Sequence, residues 1–292
     1  MKTDIWPEGR TGRLRDFFSM LAFAVQRGGS PVAMWRLFYL LKIKPGLVFR
    51  GLARYAPGKI LRARFKVAPG KNWTVNFRDN GLDIAAYREF FHRSRLVNLE
   101  QLDPRPQVIY DLGANIGAAS MFFAVACPEA RIFGFEPVPS NHEVCALNYA
   151  NLKGAQLFDC AVGSASGAME FEFASGDLRG GRLVAGGTGD AKCENKIKVA
   201  VWSVADLVAI KGLAPPDFLK VDVEGAEFEV LKGLGPCVKT IKQIHLETHS
   251  PELSDQCGDW LVAQGFAIEK EHHYSEGLGA IWATRAVTDE PR

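Results

Sequence analysis

The 292-residue sequence predicts an α/β protein with a doubly wound, mainly parallel sheet, and three observations lead to this prediction. First, from Pro106 onward short apolar runs typical of buried strands alternate with segments that carry apolar residues at helical spacing. Second, repeated βα units of this length form parallel sheets with helices on both faces. Third, the chain closes with two strand-like runs, Phe266–Lys270 and Gly279–Ala283, which fit a sheet with a reversed last strand.

The alternation defines the elements in order. Strands are predicted at 107–112, 131–135, 156–161, 218–223 and 241–248, and helices at 118–126, 140–151, 226–231 and 251–264. Met169–Phe173 and Lys196–Trp202 also alternate like strands, and they flank a glycine-rich polar stretch from Ser175 to Asn195. We expect a hairpin with a long mobile loop here, since long loops in compact domains are often functional.

The front third of the chain has a different pattern. Residues 12–67 carry apolar clusters at helical spacing between glycine and proline breaks, which predicts two or three short helices. A turn, a short strand at 73–77 and a helix at 83–91 follow. We therefore divide the chain into a basic, mainly helical N-terminal arm or cap over residues 1–100 and a core domain over residues 101–292.

Charge is unevenly distributed along the chain. Residues 1–78 hold 16 of the 35 Lys and Arg but 3 of the 33 Asp and Glu, a net charge of +13, whereas the remainder carries −11. Such asymmetry suggests that the basic part meets something anionic, such as a phosphorylated substrate, an acidic carrier protein, a membrane surface or the acidic half of a homodimer. A solvated basic face is an equally weighted alternative.

Composition excludes several classes of protein. The chain is 47% hydrophobic and 23% charged, which is ordinary for a globular protein with a core. No apolar run reaches the roughly 18 residues of a membrane span, and the first residues lack the layout of a secretory signal. The 6 cysteines are scattered without a Cys-x-x-Cys pair. We expect a cytoplasmic protein with reduced thiols, no membrane span and no zinc site.

A glycine turn after the first core strand predicts a cofactor site. The motif Asp111-Leu-Gly-Ala-Asn-Ile-Gly117 leads from a buried strand into a helix, whose free N–H groups point at a ligand. An NAD enzyme would carry Gly-x-Gly-x-x-Gly, because pyrophosphate lies against bare backbone. This motif has one glycine fewer, and Asp111 would repel pyrophosphate but would suit a cationic amino-acid group.

Two further acids occur at the ends of the next strands. Glu136 ends the second strand, 23 positions after Gly113, close to the ~20-residue spacing at which an acid meets ribose hydroxyls in such folds. Asp159 lies at the end of the third strand, where side chains would edge the adenine. Each signal is weak alone, but their order and spacing together predict a nucleoside-containing cofactor.

These motifs resemble the FkbM-type methyltransferases. The matching stretches are Asp111–Gly117, Phe135–Asn141, Ala161–Gly163 and Leu219–Glu227, of which the last is fairly specific to the family. The similarity extends over residues 80–285. It implies a class I methyltransferase fold, which is Rossmann-like, with S-adenosylmethionine (SAM) as cofactor and, mostly, methylation of hydroxyls on natural products, sugars and lipid-linked glycans.

The resemblance also implies the cofactor contacts. The methionine part would be lined by the first motif, the ribose held by Glu136, and the adenine edged by Asp159 and Ala161. The full predicted cofactor set is Asp111, Gly113, Asn115, Gly117, Glu136, Pro137, Asn141, Asp159, Ala161 and Asp222.

Candidate catalytic residues follow the next two strands, since ligands bind at the carboxyl ends of strands in open α/β sheets. Methyl transfer to a hydroxyl needs an aligned nucleophile and a base. We expect His249 or Glu247 to be the base, and Asp222 or Glu224 to orient the substrate or the cofactor amine. The alternatives are a structural histidine and acids that stabilise a helix start.

The four candidate catalytic side chains are also of types that can bind a metal ion. Carboxylate oxygens and an imidazole from Asp222, Glu224, Glu247 and His249 could hold Mg²⁺ with waters. No ligand-spacing motif demands a metal. Mg²⁺ is therefore possible, but the sequence predicts no metal site.

Other functions remain open at this point. A nucleotide-dependent oxidoreductase is disfavoured by the glycine pattern and by Asp111. A non-catalytic SAM-fold subunit that binds a partner through its basic arm is disfavoured by the retained cofactor acids. Nucleic-acid base methyltransferases usually carry Asn/Asp-Pro-Pro-Tyr where this chain has Asp222-Val-Glu-Gly225, so we expect no nucleic acid partner. The expected acceptor is a small-molecule, sugar or carrier-linked hydroxyl; protein methylation and a homodimer stay open.

Overall fold

The computed structural model describes residues 60–68, 71–78, 82–91, 105–173, 182–184, 195–273 and 278–285. Contacts divide the chain into two compact units. The described part of the first unit comprises the strands and helix within 60–91 together with 116–128 and 143–153. The second comprises 105–115, 129–142 and the described residues from 154 onward. The domain boundary at residue 100 stays a prediction.

A β-hairpin and a helix open the first unit. Strand β1 (Ile60–Ala68) pairs antiparallel with β2 (Lys71–Arg78), and helix α1 spans Leu82–Phe91. The predicted strand at 73–77 and helix at 83–91 are confirmed, but the helical interpretation is wrong for residues 60–67. Period-two alternation decides this segment, as expected for a half-buried strand. From residue 62 to residue 67 the basic side chains are exposed and the alternating Ala63, Phe65 and Val67 are buried. Residues 12–59 lie outside the described residues.

A buried polar network centred on Asn148 stabilises the first unit. The Asn148 amide donates to the carbonyl oxygens of Asn76 and Ile116, at 3.0 and 2.7 Å, and to the Tyr87 hydroxyl at 2.8 Å. Its oxygen accepts from the backbone N–H of Asn76 at 2.8 Å. Because all these groups are shielded from water, each would be costly to leave unpaired.

The remaining elements follow in chain order. The strands are β3 (Val108–Leu112), β4 (Arg131–Phe135), β5 (Ala155–Phe158), β6 (Ala161–Val162), β7 (Gly167–Phe173), β8 (Arg182–Val184), β9 (Asn195–Trp202), β10 (Phe218–Val221), β11 (Gln243–Thr248), β12 (Phe266–His273) and β13 (Gly279–Arg285). The helices are α2 (Ala118–Ala126), α3 (Pro139–Tyr149), α4 (Val204–Ala209), α5 (Glu227–Lys232) and α6 (Pro251–Ala263), with a 3₁₀ helix at Gly235–Lys239.

A seven-stranded sheet organises the second unit. Its order is β12-β13-β11-β10-β3-β4-β5, and β13 runs antiparallel to the other six strands. The predicted fold class, a class I Rossmann-like sheet with a reversed last strand, is confirmed. The central strands β3, β4 and β10 are buried along most of their length, which explains why the sequence shows them as continuous apolar runs.

A second sheet, of order β6-β9-β7-β8, contains the predicted hairpin. β7 and β9 pair antiparallel from Gly167 opposite Val201 to Phe173 opposite Asn195. The short strand β8 lies within the expected loop, and the rest of that loop, 174–181 and 185–194, lies outside the described residues. The strand predicted at 156–161 is two strands, because a bend at Asp159–Cys160 directs β6 into this second sheet.

Aromatic side chains fill the core under the cofactor half of the main sheet. Tyr110 and Phe133 meet edge to face with ring centroids 5.4 Å apart, and Phe135 stacks on Phe158 at 5.2 Å. Among the described residues, no helix is both long and apolar enough to cross a membrane.

We expect Asn148→Ala to lower the free energy of unfolding by about 2–4 kcal/mol, because it leaves buried partners without a hydrogen bond. Urea denaturation measures this loss. Asn151→Ala is the matched control: Asn151 is exposed and its side chain makes long hydrogen bonds of 3.4 Å to the carbonyl oxygens of Thr74 and Leu147, so its loss should stay within about 0.5 kcal/mol. Equal losses in the two variants would contradict the role given to the network.

Candidate active site

The glycine turn after β3 lies against the end of β10. Gly113 has a left-handed φ of 77°, and a Cβ atom there would lie 1.8 Å from the carbonyl oxygen of Asp222. Asn115 is also left-handed, with φ 51°, a conformation that asparagine tolerates better than most residues. Gly117, with φ 84°, precedes α2 as its N-cap. Only glycine allows the turn to approach Asp222 this closely.

Glu136 connects the end of β4 to this turn. Its carboxylate accepts from the backbone N–H groups of Asn115 at 2.8 Å and Val138 at 2.9 Å, and from the Asn141 side chain at 3.4 Å. Pro137, which follows, is half-buried. Burial raises the pKa of Glu136 to about 7, although these hydrogen bonds act in the opposite direction. The Glu136 carboxylate keeps further oxygen lone pairs that can accept hydrogen bonds from the two hydroxyls of a diol.

The other predicted adenine and ribose residues occupy neighbouring strand ends. β4 and β5 pair with Phe135 opposite Phe158, so Glu136 and Asp159 each come directly after a paired residue. Asp159 is exposed, whereas Ala161 is buried in β6. The structure thus brings Glu136 and Asp159 to one edge of the main sheet, while Ala161 belongs to the second sheet.

A buried lysine links the glycine turn to the next strand. The Lys220 ammonium donates to the carbonyl oxygen of Gly113 at 2.9 Å and lies 3.2 Å from Asp111 and 3.4 Å from Asp222. Asp111 is fully buried, and it therefore faces Lys220 rather than an open surface. Sequence reasoning missed Lys220. The available signal was a charged residue within the otherwise apolar run Phe218-Leu-Lys-Val221.

Neighbouring charges determine the protonation states of Lys220 and Asp222. Burial alone would lower the pKa of Lys220, but the attraction of Asp111, Asp222 and Glu247 outweighs it and holds that pKa above its ordinary value. For Asp222 burial acts upward, and the positive charges of Lys220 and His249 outweigh it, so its pKa is lowered. Lys220 is thus an ammonium and Asp222 a carboxylate at neutral pH.

Carboxylates surround His249 at the ends of β10 and β11. Its Nε2 lies 3.1 Å from Glu224 and 3.9 Å from Asp222, and its Nδ1 lies 2.8 Å from Glu227. Burial would lower the pKa of His249, but the hydrogen bonds to Glu224 and Glu227 outweigh it and raise the pKa to about 11. The arrangement therefore favours a positive charge at this point.

Glu224 contacts the His249 imidazole from an unusual backbone conformation. Its φ is 56°, a left-handed value that is rare outside glycine and costs about 1–3 kcal/mol. Burial raises the pKa of its carboxyl group. Such outliers cluster at functional sites, so the strained turn supports a role for this side chain.

Glu227 is the second residue that sequence reasoning missed. The pattern explained it as an acid at a helix start, but its side chain is fully buried and accepts from the Gly225 N–H at 2.9 Å and contacts His249. Glu247 lies near enough to Lys220 to raise the pKa of that lysine. The structure thus brings Asp222, Glu224 and His249 together, and any one of their ligand atoms lies within 4.8 Å of the others.

Comparison with known proteins places these features in a family. The family model for the methyltransferase FkbM domain matches residues 111–275. The chain is 29% identical over 217 residues to methyltransferase sdnD of Sordaria araneosa, which covers 63% of this chain and 82% of that protein. It is 28% identical over 184 residues to 2-O-methyltransferase NoeI of Sinorhizobium fredii, covering 56% of this chain and 70% of that protein.

A third relative is hexuronic acid methyltransferase AglP of Haloferax volcanii, 28% identical over 144 residues. The match covers 49% of this chain and 56% of that protein, so the chain spans little more than half of this relative's length.

The fold and the site define a SAM-dependent methyltransferase of the class I type. The glycine turn, the acid after β4 and the polar ends of β10 and β11 all follow the carboxyl ends of parallel strands, where ligands bind in open α/β sheets. The chain belongs to the FkbM methyltransferase family, whose model spans more than half of its length. Its cofactor is S-adenosylmethionine.

We expect Gly113→Ala to destabilise the protein by about 3 kcal/mol or more, because the new methyl group would overlap the Asp222 carbonyl. Gly212→Ala is the matched control. Gly212 also has a left-handed φ, 70°, but a Cβ atom added there would meet no other atom within 4 Å, so about 1–2 kcal/mol of backbone strain is expected. Thermal unfolding measures the stability of each variant, and titration calorimetry measures its SAM affinity. Comparable losses in the two variants would contradict the close approach of the turn to Asp222.

We expect SAM affinity to fall as the pH drops below about 7, because the ribose hydroxyls would donate to an ionised Glu136, and burial raises the pKa of this residue in the free protein to about 7. The dissociation constant should rise by up to about tenfold per pH unit, the equivalent of one pKa unit. Titration calorimetry from pH 5.5 to 8.5 measures this dependence. Glu136→Gln is the control, because the ionisable groups of SAM itself affect binding to both proteins equally. An identical pH profile for this variant would refute the assignment of the pH dependence to Glu136.

Proposed function

We propose that this methyltransferase transfers the SAM methyl group to a hydroxyl of a small-molecule, sugar or carrier-linked acceptor. The observation that carries the proposal is the polar cluster of Asp222, Glu224 and His249 at the ends of β10 and β11. Gly113 of the cofactor turn lies directly against the backbone of Asp222. An acceptor bound at this cluster would therefore stand next to the cofactor.

The chemistry needs few protein groups. The acceptor oxygen attacks the methyl carbon in line with the C–S bond, the bond breaks, and its electron pair stays on sulfur as S-adenosylhomocysteine forms. The sulfonium is already an excellent leaving group, so the protein supplies alignment and a group to receive the hydroxyl proton. His249 and Glu247 are the candidates for that group, with Asp222 and Glu224 orienting the acceptor.

One relative supports a hydroxyl acceptor, and a second supports a sugar-type acceptor. NoeI is described as a 2-O-methyltransferase, and AglP as a hexuronic acid methyltransferase. A hexuronic acid presents ring hydroxyls and a carboxylate, which are the kinds of groups that polar side chains at strand ends can orient. A non-catalytic subunit would have no use for this cluster, and an oxidoreductase would not fall in this family.

We also propose the cofactor contacts. The exposed Asp159 and the buried Glu136 would hold the adenosine, with Pro137, Asn141 and Ala161 beside them. Asn115 and the glycines of the turn would line the methionine part. Asp111 would act indirectly, because Lys220 takes up its charge and itself donates to the Gly113 carbonyl. Asp222, at the end of β10, would lie beside the cofactor amine.

Ligand-induced thermal stabilisation tests the cofactor. SAM and S-adenosylhomocysteine at ~100 times the dissociation constant should add about 2.7 kcal/mol, whereas NAD⁺ should add nothing. Glu136→Ala should abolish the shift, and Glu143→Ala, at an exposed position on α3, should leave it intact. A shift with NAD⁺ alone would contradict the assignment.

Product analysis tests the acceptor. We expect incubation with SAM and a panel of sugars, uronic acids and hydroxylated natural products to yield a product heavier by one methylene unit, with the methyl group on an ether oxygen. A base-labile methyl ester on a uronic acid would show that the carboxylate is the acceptor. Methylation confined to proteins or to nitrogen would overturn the hydroxyl proposal.

A further inference from the structure

The cluster at the ends of β10 and β11 brings together three potential metal ligands, because one ligand atom each of Asp222, Glu224 and His249 lies within 4.8 Å of the others. Two cis ligands at ~2.1 Å from an octahedral cation lie about 3.0 Å apart, and two trans ligands about 4.2 Å. The His249 Nε2 lies 3.1 Å from a Glu224 oxygen and 3.9 Å from an Asp222 oxygen. Both separations fall within that range, so one cation could contact all three atoms with small side-chain adjustments.

Glu227 supplies an independent reason to assign a ligand role to His249. It belongs to α5, outside the ligand set, and its fully buried carboxylate lies 2.8 Å from His249 Nδ1. If Nδ1 donates to this carboxylate, the lone pair of the neutral ring lies on Nε2 and faces Asp222 and Glu224. Metal-binding histidines are oriented in this way by a carboxylate on the other ring nitrogen. The second oxygen of Glu227 has no hydrogen-bond partner among the described residues.

The cluster is also accessible. The side chains of Asp222, Glu224 and His249 keep 28%, 32% and 17% of their surface exposed. Three protein ligands on one side would leave coordination positions for water and for an acceptor oxygen, as in catalytic metal sites. Negative charge is in excess here, since the ammonium of Lys220 is shared between Asp222 and the buried Asp111.

We propose that Asp222, Glu224 and His249 bind a divalent cation, Mn²⁺ or Mg²⁺, which holds the acceptor hydroxyl beside the SAM methyl group. Two carboxylates to one imidazole favour these hard cations. This inference rests on the proposed function, and it makes His249 a ligand rather than a base. Glu247 is then the candidate that receives the hydroxyl proton, whose acidity the cation increases.

Direct Mn²⁺ binding tests the site without any acceptor. The full chain is freed of metal with a chelator, transferred to chelator-free buffer and titrated with Mn²⁺, and the electron paramagnetic resonance signal of free Mn²⁺ reports binding. We expect one site per chain, with the dissociation constant raised at least tenfold in Glu224→Gln and in His249→Gln. Glu229→Gln is the matched control, since Glu229 follows closely in the chain but is half-exposed and paired with Lys232. It should bind as the unaltered protein does.

SAM binding, measured on each variant without metal, separates the possible failures. Variants that keep SAM affinity but lose Mn²⁺ support the site. No Mn²⁺ binding up to millimolar concentration, or equal binding in all variants, overturns the metal site and leaves His249 as an ion-paired imidazolium, whatever the methylation assay gives. Loss of SAM binding by the unaltered protein would instead contradict the cofactor site and the proposed function.

Discussion

The candidate active site depends on one buried lysine side chain, that of Lys220. Lys220 places an ammonium between Asp111 at the end of β3 and Asp222 at the end of β10, and it also binds the carbonyl oxygen of the glycine turn. A buried lysine is costly unless it is paired and hydrogen-bonded, and here carboxylates and a carbonyl satisfy it. Because three segments share this cation, their relative positions are set before any cofactor arrives.

Two further constraints extend from this centre. On one side, Gly113 permits the contact between the turn and the Asp222 backbone, and Glu136 ties the end of β4 to Asn115 of the same turn. On the other side, Glu227 orients His249 from the helix after β10. The proposed cofactor end and the proposed acceptor end of the site are therefore both held by specific contacts, which suits the alignment that in-line methyl transfer requires.

The acidic groups around His249 repel one another, and this unfavourable free energy suggests that they have a functional role. Asp222, Glu224 and Glu227 all approach one imidazole, and Glu224 does so from a left-handed backbone conformation. Carboxylates held this close repel one another unless a positive charge lies between them. An imidazolium meets this demand in the free chain, and a divalent cation would meet it while also binding an acceptor oxygen.

The sequence by itself determined the sheet, the glycine turn and the positions of Glu136 and Asp222 at the ends of their strands, because these signals are local: strand periodicity, turn residues and fixed spacing after a strand. The sequence pattern wrongly assigned residues 60–67 to a helix. It also predicted one strand at 156–161 where the structure has two strands in different sheets. Both errors arise because the pairing partners of a strand cannot be seen in its local pattern. Lys220 and Glu227 gained their roles solely in the tertiary structure. A lone charge in an apolar strand and an acid at a helix start become informative only when the fold buries them against Asp111 and His249, residues more than 20 positions away in the chain.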